Sequence, residues 1–132
     1  MAQNTTPVSL QVKDFAEREV LMVDYKFEQA TDREGQISGT PRGGRLKVRV
    51  KALNDGNVEL LNWMLNSTDP RDVTINFFRT DSGDKMKEIK GTGCYCVHYK
   101  EYFGDGEEHY EEIDIVCQVP ENGPVKFDNP WK

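Results

Sequence analysis

Long apolar runs are missing from this sequence: no window approaches the ~20 consecutive apolar residues that a bilayer-spanning helix needs. Met1 to Val20 also holds no apolar stretch of signal-peptide length behind a basic start. The expectation is a protein that begins soluble and cytoplasmic, with no signal peptide and no membrane insertion. Positive charge is in deficit too, with 17 Lys and Arg against 23 Asp and Glu and a net charge of -6. Attraction to phosphates or anionic headgroups needs a positive surface field, so nucleic acid is set aside as the main partner.

Cysteine and histidine are scarce. The three thiols, Cys94, Cys96 and Cys117, are odd in number and nothing else points to an oxidising compartment, so they are read as reduced. Cys94, Cys96 and His98 alternate along one extended run and would share a face. Alternate strand residues lie about 7 Å apart, and Cys-x-Cys lacks the two-residue spacing of zinc knuckles. A fourth ligand is not evident, and small thiols packed in the interior are the better account. No metal and no cofactor are expected.

The familiar catalytic patterns are also missing. Arg42-Gly43-Gly44-Arg45 lacks both the Gly-Lys-Ser/Thr ending of a phosphate loop and the three spaced glycines of a dinucleotide fingerprint. His109 stands among Glu107, Glu108, Glu111, Glu112 and Asp114, but the order of an EF-hand calcium loop is not there. An acidic, solvated strand edge is expected instead. No catalytic residue is assigned, because no spacing joins these groups in a cleft.

What is present is period-2 alternation. Val8, Leu10 and Val12 alternate with Ser9, Gln11 and Lys13, and Val23, Tyr25 and Phe27 alternate with Asp24, Lys26 and Glu28. Leu46, Val48 and Val50 face away from Arg45, Lys47, Arg49 and Lys51. Further extended runs are expected over Val73 to Arg79, Met86 to Phe103 and Glu107 to Val119. Gly91 and Gly93 mark a bulge or corner in the long one, and Gly104-Asp105-Gly106 marks a hairpin. One helix is expected between an N-cap at Asn54 or Asp55 and a stop at Ser67 to Pro70, with Val58, Leu61, Met64 and Leu65 as its stripe. Leu60 and Trp63 widen that stripe, so the helix is expected against the barrel end with a second covered side.

Six or seven strands, one helix and no βαβ rhythm define a mainly β fold: a small antiparallel β-barrel with one α-helix and a long extended loop. One domain, residues 1–132, has room for one real core, since a chain of this size buries roughly 65 to 70 per cent of its unfolded surface. Met1 to Pro7 reads as a frayed tail. Ala30 to Gly44 holds four glycines, a proline and only Ile37 as a large apolar residue. Loops of that length tend to be functional, and it is read as an interaction arm. The basic run Arg45 to Lys51 and the acidic run Glu107 to Asp114 are expected on complementary surfaces, either within a protomer or across neighbours. The second case gives a head-to-tail contact that closes into a ring or continues as a filament.

Several segments, in order and spacing, resemble the divergent TssD branch of the Hcp family of type VI secretion tube proteins. They are Tyr25-Lys26-Phe27-Glu28-Gln29-Ala30-Thr31-Asp32, Pro41-Arg42-Gly43-Gly44, Leu61-Asn62-Trp63-Met64-Leu65, Lys85-Met86-Lys87-Glu88 and Tyr95-Cys96-Val97-His98-Tyr99-Lys100-Glu101. The resemblance spans roughly residues 8 to 119 and departs from commoner Hcp sequences in their histidine-containing and aspartate-rich strand motifs.

It implies a structural, non-enzymatic homo-oligomer: hexameric rings stacked into a tube inside a sheath, tipped by a VgrG-type spike. Effector proteins would ride in the lumen, and the tube would be secreted by the type VI machinery after cytoplasmic assembly. Ala30 to Gly44 then corresponds to the family's extended loop, which reaches neighbouring subunits. The candidate subunit-interface residues are Gln29, Thr31, Asp32, Pro41, Arg42, Gly43 and Gly44, with Lys47 and Glu112 from the charged strands. The alternatives are a tail-tube protein of a related phage-like contractile injection system, and a monomeric β-barrel module that binds a ligand or effector. An enzyme using His98, His109 or a cysteine is the remaining class.

Overall fold

The computed structural model describes residues 8–28, 33–36, 42–53, 55–66, 68–79, 81–104, 109–127 and 129. Among them are β1 (Val8–Val12), β2 (Arg18–Glu28), β3 (Arg42–Lys51), α1 (Glu59–Leu65), β4 (Arg71–Phe78), β5 (Lys85–Phe103), β6 (His109–Asn122) and β7 (Val125–Lys126). The order across the sheet is β3-β2-β1-β4-β5-β6-β7, every pairing antiparallel, and β3 also pairs with β6. That extra pairing closes six strands into a barrel, with β7 a short appendage on β6.

Alternation explains why the chain closes this way. Leu46, Val48 and Val50 of β3, Val73 and Ile75 of β4, and Ile113 and Ile115 of β6 are all buried, and their period-2 neighbours point outward. A six-stranded barrel has an interior only wide enough for side chains. Here aliphatic residues fill it, with Leu10, Val48, Ile75, Ile113 and Ile115 at 0% exposure.

Bulges adjust the circuit at points the alternation does not announce. Val20 pairs with Val50 but Met22 with Arg49, so Leu21 is an extra residue on β2. Lys26 pairs with Arg45 and Phe27 with Gly43, which makes Gly44 extra on β3. Cys96 pairs with Ile115 and His98 with Asp114, so Val97 is extra on β5. This last bulge inverts the facing of the residues beyond it: His98 is exposed while Tyr99 turns toward the core. The expected shared face of Cys94, Cys96 and His98 is therefore broken.

Two expectations are corrected. Arg42 to Gly44, read as part of the arm, lie in β3, where Arg42 pairs with Glu28. Residues 33–35 form a turn in which Gly35 has φ +84°, a conformation that favours glycine. Residues 29–32 and 37–41 of the arm lie outside the described residues, as do residues 1–7 and Asp105 and Gly106 of the expected hairpin. From His109 to Asp114 the acidic run is not a solvated edge, since β6 pairs with β5 along one side and with β3 and β7 along the other, while Glu107 and Glu108 lie outside the described residues.

The helix starts later than expected, at Glu59, with Val58 at the N-cap position and no side-chain cap. Asp55 instead accepts from the Asn57 N–H at 3.0 Å, and Asn57 accepts from the Glu59 N–H at 2.9 Å, two successive side-chain turns that deliver the chain into the helix. The buried face is Leu60 and Trp63, with Met64 packed beside it, whereas Val58 and Leu65 of the expected stripe are exposed. Trp63 sets this rotation. Its indole N–H donates to the Asp69 carbonyl at 2.8 Å and its ring meets Phe15 edge-on at 6.1 Å. The Glu59 carboxylate accepts from the Ala16 N–H at 3.1 Å, holding the helix over the β1–β2 turn.

Tyr25 gives the interior a pH signature. Its hydroxyl is buried and has no hydrogen-bond partner among the described residues, and burial, then nearby Cys117, raise its phenol from 10.0 to about 12. A folded-state value above the unfolded one means the contribution is intact below pH 10.0 and is lost as pH rises toward about 12. Tyr25→Phe is expected to leave stability at neutral pH unchanged or slightly higher and to flatten its alkaline decline. Urea melts of both proteins across that pH range check this.

Candidate functional site

The seam that closes the barrel is also its most charged surface. Lys47 lies across from Asp24 on β2 and from Asp114 on β6. Arg49 reaches Glu112, which accepts from its Nη2 at 3.0 Å and its Nε at 3.3 Å, and Arg45 reaches Asp114 at 3.4 Å. Arg49 also covers the Tyr110 ring at 4.3 Å. The complementarity of the basic and acidic runs is thus realised inside one chain. Such cross-strand pairs contribute roughly 0.2–1 kcal/mol each, enough to favour this register without dictating the fold.

A shallow groove of about 240 Å³ runs along the seam, lined by Asp24, Lys26, Arg45, Lys47 and Asp114. Of the candidate interface residues, Lys47 is exposed on this groove, and Glu112 is 8% exposed with Arg49 as its partner in the same chain. Arg42, Gly43 and Gly44 stand at the start of β3, where the arm rejoins the barrel. Gln29, Thr31, Asp32 and Pro41 lie outside the described residues.

One residue along β6 from Glu112, within the same seam, the structure places a buried polar cluster that the pattern reading missed. Arg18 and Glu111, 3% and 4% exposed, form an ion pair, and Arg18 Nη2 donates to the Lys51 carbonyl at 3.1 Å. The Tyr99 hydroxyl donates to Glu111 at 2.5 Å. Burial, and then this hydrogen bond, raise the Tyr99 phenol well above its usual range. A signal existed: Glu111 continues the inward series of Ile113, Ile115 and Cys117 by two residues, so a carboxylate had to face inward. The polar interval before Val20 hid its partner, since β2 begins at Arg18 rather than at Val20.

A cleft of about 220 Å³ lies outside this cluster, lined in part by Leu61, Tyr99, Glu101, His109 and Glu111. His109 Nε2 is 2.6 Å from Glu101 at the protein surface. Among the described residues no nucleophile accompanies this pair, since all three thiols are buried elsewhere and Glu111 is held by Arg18 and Tyr99. The arrangement orders a surface; it does not assemble a base, a nucleophile and an oxyanion site.

The closed barrel and the one short helix among the described residues match known proteins. The family described as "Hemolysin coregulated protein Hcp (TssD)" matches residues 5–132. The chain belongs to the Hcp (TssD) family. Among solved structures, Hcp1 from Flavobacterium johnsoniae is similar at 35% identity and TM-score 0.82, covering 92% of this chain and 98% of that one. Hcp1 from an E. coli pathovar is similar at 14% identity and TM-score 0.75, covering 97% and 100%. The tube terminator of an extracellular contractile injection system shares the fold at 15% identity and TM-score 0.60, covering 91% and 95%. No curated protein sequence matches the chain. As an Hcp protein it is a structural tube subunit of the contractile-injection class and not an enzyme. Hcp proteins leave the cell through type VI secretion, and among the described residues no helix is long and apolar enough to cross a membrane.

The Arg18–Glu111 pair gives this Hcp chain a direct stability test. Glu111→Gln leaves a buried guanidinium without its counter-charge, which costs about 3–5 kcal/mol. Replacing both together, Arg18→Met with Glu111→Leu, is expected to recover most of that loss. Urea denaturation of the single and double variants reads the difference.

Proposed function

We propose that this chain assembles into hexameric rings that stack into the inner tube of a type VI secretion system. The observation that carries the reading is the family match over residues 5–132, on a barrel like that of an Hcp1 protein 35% identical. In this reading the tube forms in the cytoplasm without a signal peptide. It is wrapped by sheath proteins, capped by a VgrG-type spike and expelled with effector proteins in its lumen.

Physical features support assembly. The barrel is closed along β3 and β6, so copies join through side-chain surfaces and the arm rather than by adding strands to an open edge. Residues 30–44 supply the clasp on a neighbouring subunit, with Gln29, Thr31, Asp32, Pro41, Arg42, Gly43 and Gly44 in the contact and Lys47 beside it. Large apolar side chains are exposed at separate points on the barrel. Phe103 is 73% and Tyr102 41% exposed by the β5–β6 connection, and Phe27 is 43% exposed by the arm. Such surface is what a subunit covers on assembly.

A second reading, a tail-tube protein of a phage-like contractile system, draws on the shared fold of the tube terminator. The higher identity to an Hcp1 protein favours the secretion system. A monomeric ligand-binding barrel is disfavoured by the filled interior.

Native mass spectrometry and negative-stain electron microscopy of the purified protein are expected to show six-copy rings. Replacing residues 30–40 by a short Gly-Ser turn is expected to give single copies with an unchanged circular dichroism spectrum. A wild-type protein that stays single-copy at high concentration overturns the reading.

A further inference from the structure

Cys94 and Cys117 stand directly opposite each other on β5 and β6. They are 0% and 1% exposed, and their sulfurs are 2.9 Å apart. That is a short movement from the ~2.05 Å of a disulfide bond, and directly opposed antiparallel residues have Cα spacings within the range disulfides use. Gly91 makes the space: a Cβ at that position would lie 2.5 Å from both sulfurs. The β5–β6 register is continuous at the pair, but the backbone around it is irregular. Gly93 has φ +64°, the β4–β5 register shifts next to Cys94, and Pro120 on β6 has no N–H to donate.

We propose that Cys94 and Cys117 form a dithiol redox site that closes to an intramolecular disulfide when a peroxide or a small-molecule disulfide reaches it. With peroxide, one thiol gives up its proton, attacks the O–O bond and becomes a sulfenic acid, and the hydroxide released takes up that proton as water. The second thiol then displaces the sulfenic oxygen as another water and the S–S bond forms. Two thiols lose two hydrogens and two electrons, and the peroxide is reduced to two waters. A small-molecule disulfide instead has its S–S bond broken by the first thiol, which releases one small thiol, and the second thiol displaces the other from the mixed disulfide.

Reaction awaits local opening. The thiol–thiol hydrogen bond with Cys117, and then burial, hold the Cys94 thiol far above its usual value, so it stays protonated and unreactive while the strands are paired. Cys96 takes no part: it is buried, donates weakly to the His98 carbonyl at 3.4 Å, and burial raises its thiol to about 11. The bond staples β5 to β6 between residues 23 apart in sequence. In a subunit expelled from a reducing cell interior, a consequence that rests on the proposed tube role, it stiffens the barrel outside. The chemistry needs only the isolated chain, so its failure and that of the tube role are read separately.

The purified full-length protein is exposed to hydrogen peroxide, and separately to oxidised glutathione, for hours, then analysed by intact mass and by alkylation in guanidinium. The expected product has lost about 2 Da, the mass of two hydrogens. It retains one of its three alkylatable thiols, regains all of them with dithiothreitol, and melts roughly 10 °C higher. Cys96→Ser is expected to behave the same, and Cys117→Ser to lose no mass. Gly91→Ala is expected to impede closure by driving the sulfurs apart. Three alkylatable thiols after prolonged exposure overturn the proposal, as does mapping of the bond to Cys96 or gain of oxygen or glutathione at Cys94 or Cys117 in place of the bond. The wild-type mass decides the matter even if a variant fails to fold.

Discussion

The antiparallel pairing of β3 with β6 is the contact on which the rest of the molecule depends. It joins the two ends of a sheet that would otherwise carry long open edges, and open edges invite pairing with other chains. It brings Leu46 against Ile115 and Val48 against Ile113, and it orders the outer charges so that Arg49 finds Glu112 and Arg45 finds Asp114. A slip of one residue would turn all of these side chains to the wrong face. Hydrophobic alternation therefore specifies the seam, and the charge pairs reinforce it.

Closure decides how copies can meet. With the barrel edges paired, the basic strand and its acidic partner satisfy one another within the chain. Exposed on the described surface are the aromatic residues Tyr102 and Phe103 at the end of β5 and, at the helix, Val58 and Leu65. An Hcp protein works by geometry, and a rigid, filled barrel is a suitable brick for it. The buried Arg18–Glu111–Tyr99 cluster serves the same rigidity, tying β2, β5 and β6 together at one end of the barrel where aliphatic packing runs out.

Much of this is legible in the sequence. Strict alternation in Arg45 to Lys51 marks a strand whose buried residues, Leu46, Val48 and Val50, are the expected ones. The resemblance to Hcp, carried by five short segments, points to the family. What escapes has one physical cause: single-residue bulges leave no mark in composition yet invert the facing of everything beyond them. Val97 separates His98 from the two cysteines in this way. The helix is ambiguous for a related reason, since Val58, Leu61 and Leu65 fit a helical period as well as Leu60 and Trp63 do. Only the long reach of Trp63 to Phe15 and Asp69 decides which face is covered. Arg18 is hidden because an inward-facing cation looks like a loop residue until its carboxylate partner, 93 positions away, is in view.

Hydrogen exchange at the backbone amides of Leu46 to Val50 tests the closure of the barrel most directly, measured on a dilution series that carries the protein from assembled to single-copy form. If β3 and β6 pair within one chain, the slow exchange of these amides persists unchanged in the single-copy protein. Protection that vanishes on dilution would mean that the seam is formed between chains, and would contradict the account.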